Sequence, residues 1–227
     1  NELQDRNVKA FNQYVPSIGK VLSQLPFDRL SVFVDKDKQT NIVDFQSGMT
    51  LYGPNVNENI SVQVNAWQYN AALLDFTKPE QANSSLNSPQ QTHTFSSRQA
   101  YAKSLFMDCS KVPVDTLVVM GLGKADYIRQ LFEQNVSRNS LNTQDVKYFV
   151  IYEPDWEVFR CTLSLFDWAE FLASAAARDL QIFFQIGTNI HEMFDDINEL
   201  HQQLNAKRML FYKHTNLPIF TQIISNV

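Results

Sequence analysis

Three short stretches bring residues capable of chemistry to the ends of apolar runs. Gly121-Leu122-Gly123 follows "LVVM", Glu153-Pro154-Asp155 follows "YFVIY", and Gly187 follows "IFFQI". Glycines at 121 and 123 permit a tight turn and close backbone approach of a ligand. The helical pattern that follows would supply free N–H groups and the positive end of its dipole. A carboxylate at the end of the neighbouring strand, Glu153, is suited to accept both hydroxyl protons of a ribose. These seven residues form a candidate small-molecule or nucleotide cleft. If it binds a nucleoside, removing Glu153 is expected to weaken binding by about 1.5–3 kcal/mol and to leave fold stability almost unchanged.

Two departures argue against a dinucleotide. Asp126 replaces the third glycine of G-x-G-x-x-G, and its charge would repel a pyrophosphate. Glu153 follows Gly121 by 32 residues, whereas the fingerprint places its acid about 20 residues on. An S-adenosylmethionine-dependent methyltransferase-like site tolerates G-x-G and an acid at the end of the second strand, but its first strand usually carries an acid two residues before the first glycine, where Val119 stands. The turn therefore either holds a nucleoside-type ligand or only reverses the chain from strand to helix. No cofactor is specified by these residues.

Other constellations carry less. His191 and Asp195 share a helix face at i, i+4 with no third ligand at matching spacing, which reads as a solvated face rather than a metal site. His93, His201 and His214 are scattered, and neither a G-x-S-x-G elbow nor a P-loop occurs. No catalytic residue is assigned. Asp155 reads as the N-cap of a helix opening at Trp156.

The elements that must position these residues follow from hydrophobic period. "QDRNVKAFNQYVPSIGKVLSQL" has the spacing of an amphipathic helix broken or kinked at Pro16. "RLSVFVD" and "TNIVDF" read as a hairpin, "SGMTLYG" as a further short strand, and residues 55 to 76 as helical. Residues 77–97 hold too few apolar residues to bury a face and read as an exposed loop, followed by helix-forming "RQAYAKSLFMDC". From there strand and helix alternate: "DTLVVM", "KADYIRQLFEQN", "KYFVIY", "DWEVFRCTLSLF", "DWAEFLASAAA", "QIFFQIG", "TNIHEMFDDINELHQQLN" and "RMLFYKH". Trp156, Phe159, Leu163 and Phe166 form one stripe, read as core. Near-continuous apolar strands between amphipathic helices imply an α/β protein with a Rossmann-like parallel sheet, helices on both faces. The expected organisation is a small mixed α+β part over residues 1–110 and a Rossmann-like domain over 111–227.

Composition narrows the partners. Nineteen Lys and Arg against 24 Asp and Glu leave a net charge of −5, with no basic block. Neither nucleic acid nor an anionic membrane surface is an expected partner. The apolar runs are far shorter than the ~20 residues of a spanning helix. Cys109 and Cys161 read as free buried thiols of a reducing compartment, so the expected location is cytoplasmic. The chain opens at Asn1 and ends on the apolar pattern "TNLPIFTQIISNV", which reads as part of a longer polypeptide.

The order of five segments, "RNVKAFNQYVPSIGKVL", "NIVDFQSGMTLYG", "VVMGLGKADYIRQLF", "YFVIYEPDWEVFRCTL" and "QIFFQIG", resembles the N-terminal domain of the motility accessory factor (Maf) family. The resemblance implies a role in bacterial flagellin glycosylation, the transfer of a nonulosonic acid to Ser or Thr. It implies that the glycosyltransferase chemistry belongs to a domain C-terminal to this one, which would meet the nucleotide-sugar, and that flagellin is a partner. Two alternatives from other classes are a small-molecule methyltransferase and a non-catalytic protein-interaction module.

Overall fold

The computed structural model describes residues 1–24, 28–53, 56, 60–62, 64, 72–76, 114–132 and 146–214. The exposed-loop reading of 77–97, the helical reading of 98–109 with Cys109, His93 and the segment "TNLPIFTQIISNV" lie outside the described residues.

The first helix, α1 (Glu2–Tyr14), ends at Val15, and α2 (Pro16–Leu22) starts with Pro16 in its first turn. There the missing N–H costs nothing, so proline separates two helices rather than kinking one. Strands β1 (Leu30–Val34) and β2 (Thr40–Asp44) pair antiparallel, Leu30 opposite Asp44. "SGMTLYG" adds only a bridge between Val43 and Thr50.

The main sheet contains β3 (Ala72–Asp75), β4 (Thr116–Met120), β5 (Tyr148–Glu153), β6 (Gln181–Ile186) and β7 (Arg208–Lys213), in the order β3-β7-β4-β5-β6. Strands β7, β4, β5 and β6 are parallel, and β3 closes one edge antiparallel to β7. Reading residues 55 to 76 as helical therefore fails at its end. Residues 56, 60–62 and 64 are helical, but Ala72–Asp75 is a strand. The open edge of β7 offers backbone partners, and that tertiary opportunity overrides the local pattern.

Helices α3 (Asp126–Phe132), α4 (Trp156–Thr162) and α5 (Trp168–Ala176) lie with α1 on one face, and α6 (Ile190–Leu204) covers the other. Alternation along β4 decides which side chain meets which layer. Leu117 and Val119 join the α1 side, while Val118 and Met120 join Met193, Ile197 and Leu200 of α6. The aromatic stripe is core: Phe11 sits 5.3 Å from the Phe159 ring, 5.7 Å from Trp168 and 5.3 Å from Phe184. Buried Asn7 secures this packing by donating to the carbonyls of Leu163 and Phe166, at 2.8 and 2.7 Å, and accepting from the Ala169 N–H at 3.0 Å.

Chain order reverses between β4 and β7. From β4 the chain adds β5 and then β6 on one side, then returns to place β7 on the other. The crevice at the carboxyl ends of β4 and β7 is the switch point where open α/β sheets bind ligands.

Candidate functional site

At the switch point the turn after β4 is held from both sides. Gly121 (φ 84°) donates its N–H to the Tyr152 carbonyl at 2.8 Å, and its own carbonyl accepts the Tyr127 hydroxyl. Gly123 (φ 53°) has no room for a side chain, since a Cβ there would lie 1.9 Å from Tyr52 Oη and 2.9 Å from His214 Nε2. The close approach that a glycine permits is made by the protein itself.

Tyr52 Oη accepts the Lys124 N–H at 3.1 Å and lies 2.6 Å from His214 Nε2, while His214 Nδ1 lies 3.1 Å from Tyr212 Oη. The imidazole thus bridges two phenols, and the ring nitrogen that carries the proton sets the direction of each bond. The Tyr127 ring stacks on the imidazole at 4.0 Å. Burial pushes the His214 pKa down to about 3, so the ring is neutral near pH 7. Beside it, the buried Lys124 ammonium pairs with Asp126 at 3.0 Å. A phenol oxygen and a neutral imidazole thus stand where a nucleotide's oxygens would meet the turn.

The end of β5 is built from carboxylates. Glu153 is 3% exposed, and its two oxygens accept the Leu122 N–H at 2.8 Å and the Asp155 N–H at 3.0 Å. Burial pushes its pKa up to about 7, against the two amide bonds, which lower it, and with the Asp155 charge, which raises it. The two amide bonds correct the expectation that removing Glu153 leaves the fold untouched, because truncation would orphan two N–H groups that it satisfies. Asp155 caps α4 by accepting the Glu157 N–H at 2.9 Å, as its position predicted.

Arg29 fastens the β1–β2 hairpin to this end of the sheet. Its guanidinium contacts Asp44 at 2.8 Å, Asp155, and Glu157 at 3.7 Å. Glu157 also accepts the N–H groups of Arg29 and Leu30, both at 2.8 Å, and Arg160 donates to the Leu30 carbonyl at 2.9 Å. Between hairpin and sheet lies a cleft of about 260 Å³. Arg29, Asp44, Gly123, Glu153 and Asp155 give it a polar side; Leu30, Ile42, Met49, Leu51 and Val158 give it an apolar one.

Of the seven residues singled out in the sequence, Gly123, Glu153 and Asp155 border this cleft. Gly121 and Leu122 form the adjoining turn, and Pro154 links Glu153 to the helix cap. Gly187 packs elsewhere: a Cβ on it would lie 2.0 Å from Trp156 Nε1, and its N–H donates to the Glu153 carbonyl at 2.8 Å. Sequence reasoning missed Arg29, Asp44 and Tyr52, and it left His214 among the scattered histidines. "MTLYG" was the one signal that pointed near Tyr52.

No group of three or more potential metal ligands occurs among the described residues. His191 and Asp195 are exposed, in keeping with a solvated face. Cys161 is a buried free thiol, its pKa pushed up to about 11 by burial. Among the described residues, no helix is long and apolar enough to cross a membrane.

The five-stranded sheet, its helical layers and the turn after β4 define a Rossmann-like α/β domain. The chain belongs to the Maf glycosyltransferase N-terminal domain family, whose model matches residues 3–227. The solved structure of a MAf glycosyltransferase from Magnetospirillum magneticum AMB-1 matches 99% of this chain with a TM-score of 0.66 and 17% identity, a likeness of fold. The match covers 34% of that chain, so this chain spans about a third of its neighbour's length. No curated relative matches.

Proposed function

We propose that this chain is the non-catalytic, substrate-presenting N-terminal domain of a Maf-type protein that glycosylates flagellin in the bacterial cytoplasm. A domain C-terminal to it would bind the nucleotide-sugar and transfer a nonulosonic acid to flagellin Ser or Thr. The family supports the glycosylation role, and one observation supports the division of labour. The switch-point crevice holds Tyr52, His214 and Tyr127 in van der Waals and hydrogen-bonding contact, leaving no open seat on the Lys124 amide for a phosphate.

The test compares the 227-residue chain, the longer protein containing it, and that protein with this domain deleted, each given flagellin and a cytidine-activated nonulosonic acid. Intact mass of flagellin is the readout. Sugar addition by the longer protein alone is the expected result. Transfer by the 227-residue chain would overturn the non-catalytic reading, and undiminished transfer after deletion would overturn substrate presentation. Titration of the chain with S-adenosylmethionine is expected to give no saturable heat. Micromolar binding would favour the methyltransferase alternative.

A further inference from the structure

The cleft beneath the hairpin has three properties that together describe a ligand. Its volume of about 260 Å³ is below the roughly 300–1,000 Å³ of small-molecule and cofactor sites, a size for one side chain rather than an activated sugar. Its charge is lopsided. Arg29 is the cation among the described lining residues, and its guanidinium already faces Asp44, Asp155 and Glu157. Even with Glu153 protonated, the two lining carboxylates of Asp44 and Asp155 outnumber the one lining cation, so an entering phosphate or carboxylate meets net repulsion and an entering ammonium net attraction.

The third property is the rim. Met49 and Leu51, which line the cleft, are 69% and 42% exposed, on the same hairpin extension that supplies Asp44 and Ser47 to the lining. A free amine would leave this apolar apron bare, whereas a polypeptide carrying apolar residues beside its basic one would cover it. Lysine matches the interior, because its methylene stem lies along apolar walls while its compact ammonium reaches carboxylates.

We propose that the cleft takes a lysine side chain of a partner protein, its stem against Leu30, Ile42 and Met49 and its ammonium toward Glu153 and Asp155. Apolar residues flanking that lysine would cover the exposed surfaces of Met49 and Leu51. The proposal stands apart from the sugar-transfer reading, since it concerns what the domain grips and not what any adjoining domain transfers.

The test titrates the 227-residue chain into a fluorescein-labelled peptide with one lysine flanked by leucines, followed by fluorescence anisotropy. Peptides with norleucine or glutamate in place of the lysine are the comparators. Saturable binding of the lysine peptide is expected, weaker by about tenfold or more for norleucine and absent for glutamate. Asp155→Asn, which retains a competent helix cap, and Met49→Ser, at an exposed position, should each weaken the lysine peptide by about threefold or more. A single cooperative thermal unfolding transition for each would establish that both variants are folded. Equal binding of lysine and norleucine peptides, preference for glutamate, absence of binding by the lysine peptide, or indifference to both substitutions would overturn the proposal.

Discussion

Gly123 separates two neighbouring regions that solve opposite problems. On one side the switch-point crevice is filled with uncharged rings, Tyr52, Tyr127, Tyr212 and His214, joined by hydrogen bonds and stacking. On the other side the hairpin cleft is open and carries ionic groups, Arg29, Asp44, Glu153 and Asp155. A glycine turn therefore announces that something approaches the backbone closely, without saying what. Here the Tyr52 hydroxyl makes that approach, and the accessible chemistry lies one strand over, beside β5.

The ring-filled crevice should be most sensitive to a side chain at Gly123. Gly123→Ala would force a non-glycine residue to hold φ 53° and push its Cβ into Tyr52 Oη and His214. Left-handed strain and overpacking together should cost about 3 kcal/mol. Urea unfolding at pH 7 would measure it, and a loss below about 1 kcal/mol would mean that the ring cluster yields easily.

The two regions should also respond oppositely to pH. His214 titrates near 3 when folded against an ordinary 6.5, so its contribution is complete above pH 6.5 and is lost as pH falls below it. Glu153 titrates near 7 when folded against 4.5, so its contribution is complete below pH 4.5 and is lost as pH rises through 7. Between pH 5 and 6.5 the two slopes oppose one another and largely cancel in the wild type. Glu153→Gln should unmask the histidine slope, a fall of about 2 kcal/mol on acidification across that window. His214→Gln should unmask the reverse, with stability falling as pH rises. Urea midpoints at half-unit pH steps would reveal either slope, and parallel profiles for all three proteins would refute the assignment.

Removing only the Tyr52 hydroxyl is a smaller perturbation. Tyr52→Phe deletes the link between the Lys124 amide and His214 while keeping the ring, and should cost about 1–2 kcal/mol. Chemical denaturation would measure the loss, and faster hydrogen exchange at the Lys124 amide would localise it. At the lower end, Met49→Ser on the cleft rim should change stability by no more than about 0.5 kcal/mol, because the side chain is 69% exposed. A larger thermal shift would mean that the rim is integral to the hairpin rather than free to receive a partner.

Much of this architecture was legible in the sequence because its cause is local. Runs of three to five apolar residues bounded by polar or turn residues read as strands, and β4, β5, β6 and β7 fall where those runs occur. Proline at 16 marked a break or kink, which the structure makes the start of α2, and the carboxylates of Asp155 and Asp167 cap α4 and α5 by accepting N–H groups within three residues. Strand-end reasoning likewise reached Gly123, Glu153 and Asp155. Strand order was not legible, and order decides which strand ends are neighbours. It places β6, with Gly187, at the sheet edge and opens the switch point between β4 and β7.

The remaining features depend on contacts between residues far apart in the chain. Tyr52 meets His214 across 162 positions and Arg29 meets Asp155 across 126, and no local period or spacing encodes either pair. The edge strand β3 exists because β7 offers it hydrogen bonds. The sequence by itself determined the strands β4 to β7, the helices between them and the caps of α4 and α5, since each rests on residues a few positions apart, and the order of its segments carried the family. Only the tertiary structure decided that the glycine turn is occupied by the protein's own tyrosine and that Glu153 spends both oxygens on backbone amides. Those outcomes follow from which buried polar groups must satisfy one another once the chain has closed.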